Sequence, residues 1–229
     1  MTRFRLSYLL SFVGCLSFLA AHAQRSEVGF GLGTLNYTGD LVRSYNFKFS
    51  KPAATVFYRA NISPVVSFRA ALTGGKLGAH ETPIDAFAAQ RNASFNIFLF
   101  EASTVMEYHF LNWRETKRFV RFTPYLFAGL GLFGVAGNAE KTEEYSNVQG
   151  VVPFGGGFKY VYNPKWYFSL EFGVRKTFTD YLDNISAGDQ RFKNNLQFGN
   201  PNDNDSYYFL GLTLTRTFYT IPCPTNPYK

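Results

Sequence analysis

The sequence predicts an all-β chain: an eight-stranded antiparallel up-and-down barrel that crosses a membrane, with long outer loops and short periplasmic turns. Three observations point there. Eight stretches alternate apolar with polar residues at period two, the pattern of half-buried strands. The N-terminus has the order of an export signal. Of the 229 residues, 19% are aromatic and only 17% charged, whereas charged residues alone average about 25% of soluble domains.

The signal comes first in chain order. Arg3 and Arg5 precede an apolar run over 6–20, and Ala21-His22-Ala23 supplies the small residues of a cleavage site. The expected division is therefore a signal peptide at 1–23, a barrel at 24–220 and a proline-rich periplasmic tail at 221–229. A lipoprotein reading through Val13-Gly14-Cys15 is the rival, but the apolar run continues past Cys15 to Leu19. With Arg3 and Arg5 gone, 21 basic residues stand against 16 acidic, a net charge of +5. Lys117-Arg118 and Arg175-Lys176 are the only adjacent basic pairs, so no polybasic segment exists to track a nucleic acid. Cys223 alone outlasts the signal, which leaves no disulfide framework. With His80 and His109 it makes too few soft ligands for a thiolate metal site. No apolar run after the signal is long enough for a helical span, so any membrane crossing is by strands.

In the first strand Val28, Phe30 and Leu32 alternate with Gly29, Gly31 and Gly33, so bulk faces one way and hydrogens the other. The second sets Val56, Tyr58, Ala60 and Ile62 against Thr55, Phe57, Arg59 and Asn61. The third sets Val66, Phe68, Ala70 and Leu72 against Ser67, Arg69, Ala71 and Thr73. In the fourth, Phe98, Phe100, Ala102, Met106 and Tyr108 oppose Glu101, Ser103, Glu107 and His109, while Ile97 and Leu99 break the phase and suggest a bulge or a strand end. The fifth, 124–135, is ambiguous because both rows are apolar, and Gly129 and Gly131 favour the even residues outward. The sixth, 154–162, sets Phe158 and Tyr160 against Gly155, Gly157 and Lys159. The seventh sets Trp166, Phe168, Leu170, Phe172 and Val174 against Ser169, Glu171, Gly173 and Arg175. The eighth sets Tyr208, Leu210, Leu212 and Leu214 against Phe209, Gly211, Thr213 and Thr215.

Connections alternate between long (38–53, 74–93, 136–152, 180–206) and shorter (61–64, 111–119, 163–165), which puts both chain ends on the side of the short turns. Alternation alone does not say which row faces in, since a soluble lipocalin-like barrel puts its apolar row inside. The polar rows decide: each carries about one charge amid Gly, Ser and Thr, where a solvated exterior would carry several. Tyr37, Phe110, Trp113, Phe122, Tyr162, Trp166, Tyr181, Phe218 and Tyr219 gather near strand ends as two interfacial girdles.

The inward row holds Arg59, Arg69, Lys159 and Arg175 with Glu101, Glu107 and Glu171. Eight strands leave an interior just wide enough for side chains, and isolated ions there are costly, so these residues are expected to pair as a structural plug. A conducting pore is the sharper alternative. His109 reads as a packed histidine, and His80 sits beside Glu81 and Asp85 with no nucleophile motif, so no catalytic residue is assigned. Asp203 and Asp205 in Asn-Pro-Asn-Asp-Asn-Asp-Ser offer oxygen ligands but lack the rest of a calcium loop. Asn92-Ala93-Ser94 matches a glycosylation acceptor, which carries little weight if the cell is bacterial. No cofactor, metal, nucleic acid or small-molecule substrate is inferred.

Several segments also resemble a known family: Glu27-Val28-Gly29, Asn36-Tyr37-Thr38-Gly39-Asp40-Leu41, Lys51-Pro52-Ala53, 91–95, Pro124-Tyr125-Leu126-Phe127, 153–159 and Arg175-Lys176-Thr177. The most specific piece follows, Phe178-Thr179-Asp180-Tyr181-Leu182-Asp183. Together they resemble the PorG-like outer-membrane barrel proteins associated with the type IX secretion system, over nearly the entire mature chain. What the resemblance implies is a non-enzymatic component of the Gram-negative outer membrane, held in outer-membrane lipid. It also implies association with a periplasmic ring of PorK and PorN type. Charge complementarity would put partner contacts on the basic turn residues Arg114, Lys117, Arg118 and Lys165. The alternative is a small outer-membrane transport or ligand-binding barrel.

Overall fold

The computed structural model describes residues 25–39, 42, 45–80, 94–113, 121–136, 148–178 and 205–219. The signal peptide, the tail with Cys223, and Glu81, Asp85, Arg114, Lys117, Arg118, Thr179, Asp180, Tyr181, Leu182, Asp183 and Asp203 lie outside the described residues.

Eight strands form: β1 (Arg25–Thr38), β2 (Lys51–Asn61), β3 (Val66–His80), β4 (Ser94–His109), β5 (Phe122–Ala136), β6 (Val148–Asn163), β7 (Trp166–Thr177) and β8 (Ser206–Tyr219). Each pairs antiparallel with the next, and β1 pairs with β8 from Arg25↔Tyr219 to Thr38↔Ser206, so the barrel closes without an edge. The segments 62–65, 110–121 and 164–165 join strands at one end, the turn end; 39–50, 81–93, 137–147 and 178–205 join them at the other, the loop end.

The even-numbered row faces out on every strand. Phe30, Leu72, Phe100, Leu130, Phe158, Leu170 and Leu212 are among the exposed side chains, while Arg59, Arg69, Glu107, Lys159 and Glu171 are buried. Such a polarity, apolar outside and ionic inside, is stable only where the outside is hydrocarbon. The ambiguous β5 follows the same rule, with Leu126, Leu130 and Leu132 outward and Phe127 and Phe133 buried.

The strands run further toward the loop end than the sequence suggested. Residues 51–53, 74–80 and 148–152, expected in loops, are strand. The reason is an inversion of polarity along the barrel. Beyond the apolar belt the outward row becomes more polar (Thr34, Lys76, Asn96, Lys176), and the inward row becomes apolar. Leu35, Tyr37, Leu77, Ala79, Ile97, Leu99, Phe133, Val151, Tyr207 and Phe209 pack there as one cluster with Val42. Period two persists while its hydrophobic phase flips, as in a barrel leaving lipid for water. Ile97 and Leu99 therefore mark no bulge: β4 alternates regularly, and its pairing with β3 runs unbroken from Val66↔Tyr108 to His80↔Ser94. The irregularity lies in β6 instead, between Val161 and Asn163.

The girdle reading needs two corrections. Tyr37 points inward and donates to Asp205 Oδ1 at 2.7 Å. Trp113 is also buried, its ring 5.0 Å from Tyr167 and 5.8 Å from His109, so it closes the turn end of the interior. Tyr108, Phe110, Phe122, Tyr160, Tyr162 and Phe218 remain exposed around that end.

Candidate functional site: the ionic interior

Below the apolar cluster the interior is a continuous chain of ions. Arg59 bridges Glu27, Nη1 to Oε2 at 2.9 Å, and Glu107, Nε to Oε2 at 2.9 Å. Arg69 reaches the other Glu107 oxygen at 3.1 Å and pairs with Glu171. Arg175 continues from Glu171 at 4.0 Å to Glu101 at 3.3 Å. Lys159 branches from Glu107 at 2.5 Å. Four carboxylates thus face four cations, and Glu107 alone touches three of them.

The structure brings together all seven residues that the sequence placed in the interior, and adds others. Glu27 belongs to the network but precedes the first apolar residue of β1, so alternation gave it little mark. Tyrosines supply further donors: Tyr125 to Glu171 at 2.9 Å, Tyr207 to Glu101 at 2.8 Å, and Tyr167 to Glu27. Asn61 donates to Glu27 Oε1 at 2.7 Å and accepts from Ser67 at 2.8 Å. His109 accepts from Lys159 at Nε2, 2.6 Å away, while its Nδ1 lies 3.2 Å from the Val65 carbonyl oxygen. With Lys159 as an ammonium donor, those two contacts fit the neutral imidazole with its proton on Nδ1.

Inward aromatic rings fill the space between ions. Arg69 lies 5.4 Å from the Phe57 ring centroid and 5.1 Å from that of Phe127, and Lys159 lies 4.3 Å from that of Tyr125. Inward glycines make room for them. A Cβ on Gly173 would stand 2.7 Å from Phe127 and 2.4 Å from Arg175.

Chemically the arrangement neutralises rather than reacts. Its side chains are spent on one another, the apolar cluster covers it toward the loop end, and Trp113 covers it toward the turn end. His80 ends β3 with an exposed side chain, far from this network in the chain of pairings. Lys165 is exposed in the turn before β7, and Phe178 is exposed just after it.

Comparison with known proteins agrees on architecture. A family model described as "Domain of unknown function (DUF6089)" matches residues 5–226. Neisserial surface protein A is similar in structure, with a TM-score of 0.53 and 14% identity, covering 84% of this chain and 97% of that one. The outer membrane protein OprG from Pseudomonas aeruginosa gives 0.47 and 9%, covering 87% and 98%. The attachment invasion locus protein Ail of Yersinia pestis gives 0.47 and 10%, covering 85% and 99%. No curated protein matches the sequence. At such identities the likeness is one of fold: a closed eight-stranded barrel of the outer-membrane kind.

Proposed function

This chain belongs to the family described as a domain of unknown function, DUF6089, and from that premise we propose that it is a non-enzymatic outer-membrane component of a type IX secretion system. Its role there is to anchor or organise a periplasmic ring of PorK and PorN type. The observation that carries the reading is the filled interior. Among the described residues, four carboxylates matched to four cations under an apolar cap fill the interior that an exported protein or a solute would have to cross. A barrel plugged in this way acts through its ends and its wall. The resemblance of the Phe178 segment and its neighbours to PorG-like barrels supplies the partner class, and the even strand number brings the start of β1, the end of β8 and the short turns 62–65 and 164–165 to one end of the barrel, the end that on this reading would face the ring. Export to the outer membrane follows from the N-terminal signal.

The test is capture of detergent-solubilised complexes from native outer membrane through a tag in the 137–147 loop, with mass spectrometry of what accompanies the barrel. Recovery of periplasmic ring components is expected. Recovery of the barrel alone, under conditions in which the ring itself stays intact, overturns the anchor reading. The transport reading would then lead, and steady single-channel conductance of the purified protein would support it.

A further inference from the structure

Charge is sorted completely across the barrel wall among the described residues. Every described carboxylate, Glu27, Glu101, Glu107, Glu171 and Asp205, is buried. The charged side chains that are exposed are all cations: Lys48, Lys76 and Lys176 toward the loop end, and Arg121, Lys165 and Arg216 toward the turn end. Among the described residues no carboxylate shares the outer wall with these cations.

One of them is held in a defined geometry. Arg216 projects outward from β8 opposite Trp166 of β7. Its Cζ lies 5.6 Å from the centroid of the Trp166 ring and 5.3 Å from that of Phe218, so the guanidinium is flanked by two girdle aromatics. Cation–π contact with two rings holds the guanidinium at the wall, where its fork of N–H donors suits an oxyanion. Lys165 is tied to the same corner. Its carbonyl accepts from Thr217 N–H at 2.8 Å, and Asn163 Oδ1 accepts from the N–H groups of Lys165 and Trp166 at 2.9 and 2.8 Å. Arg216 on β8 and Lys165 on the adjoining braced turn, beside exposed aromatics at the rim of the apolar belt, match the depth and chemistry of a lipid phosphate.

We propose that the Arg216, Trp166, Phe218 and Lys165 corner is a binding site for the headgroup phosphate of an anionic glycerophospholipid, of the phosphatidylglycerol class, in the leaflet at the turn end. The site rests on the bilayer-spanning reading of the barrel and is independent of the secretion role.

The experiment uses the full mature chain inserted into phosphatidylcholine vesicles doped with phosphatidylglycerol, then released for native mass spectrometry. The expected result is retention of phosphatidylglycerol in preference to phosphatidylcholine. Arg216→Gln should reduce that retention about fivefold, the factor equivalent to the ~1 kcal/mol of a cation at an anionic leaflet. Arg216→Lys should fall between, and Lys76→Gln at the other end should change nothing. Equal retention by Arg216→Gln overturns the site, as does full displacement of the lipid by inorganic phosphate, which would make it a free-anion site. Heat-modifiable migration after insertion into pure phosphatidylcholine separates the two readings. A chain that inserts yet shows no lipid preference loses only this site, whereas one that cannot insert loses both.

Discussion

Phe57 occupies the space that a side chain on its paired residue Gly29 would need. The two are direct partners across β1 and β2, and a Cβ built on Gly29 would fall 2.1 Å from Phe57 Cζ. The ring in turn lies 4.8 Å from the Arg59 guanidinium and 5.4 Å from that of Arg69, so a glycine on one strand fixes the position of ions on others. Gly29→Val should displace Phe57, loosen both arginines, and lower stability by about 1–3 kcal/mol as an overpacked interior does. The shift of the urea unfolding midpoint in phospholipid vesicles measures it. Gly29→Val with Phe57→Ala should recover part of the loss, because the second change reopens the space.

Glu107 is the residue whose loss should cost most. It touches Arg59, Arg69 and Lys159 at once, and all four side chains are nearly inaccessible. Glu107→Gln leaves an uncompensated positive charge in the interior, for which about 3–5 kcal/mol is the ordinary penalty. The double variant Glu107→Gln with Lys159→Met restores neutrality and should be less destabilised than the single one. If the double variant loses as much as the sum of its parts in the same urea titration, charge balance is not what holds the plug together.

Much of this was legible in sequence because within the belt hydrophobicity and strand period agree. Val28, Phe30 and Leu32 read as one face at a glance, and the charges opposite them were placed inside for the same reason. The reading failed where its premise changed. At Leu35, Leu77, Ile97 and Leu99 the barrel interior is apolar, so the row that had been polar turned hydrophobic and the strand seemed to end. An aromatic near a strand end suits an interface, but at Tyr37 one residue of parity turns it inward, and Trp113, past the end of β4, folds in against His109 and Tyr167. Glu27 and the tyrosine donors were invisible because pairing partners across the barrel are set by closure and register, which period alone does not encode.

The belt itself predicts a depth profile. Leu130 is 69% exposed on β5, between Ala128 and Leu132 of the same outward row. Leu130→Arg should cost about 2–4 kcal/mol, the penalty for a cation near a bilayer midplane. Thr34→Arg, on the polar outward row toward the loop end, should stay within about 1 kcal/mol. Comparable costs at both positions, in folding equilibria with vesicles, would remove the belt from where the structure draws it.

A plugged interior also predicts electrical silence. In planar bilayers the purified barrel should give no steady conductance, and Trp113→Ala should not create one, because the ion chain and the apolar cluster lie beyond Trp113. Sustained single-channel current from the unaltered protein would contradict the interior as described.

The inversion of polarity gives the sharpest pair of neighbours. Lys76 and Leu77 are adjacent on β3, yet Lys76 is exposed on the outer wall while Leu77 is wholly buried in the apolar cluster. In a barrel whose loops began at residue 74, both would be solvated and both tolerant. With the strand continuing to His80, Leu77→Ala removes packing from a closed interior and should cost about 2–5 kcal/mol. Lys76→Gln should stay within about 0.5 kcal/mol, as surface changes do. Amide exchange in the folded barrel adds an independent reading: the alternate N–H groups of 75–80 that point at β4 should exchange slowly, being laddered to it between Gly75↔Leu99 and His80↔Ser94. Rapid exchange there, together with a tolerated Leu77→Ala, would return this segment to the loop that its residues suggest and cut the barrel back to its membrane belt.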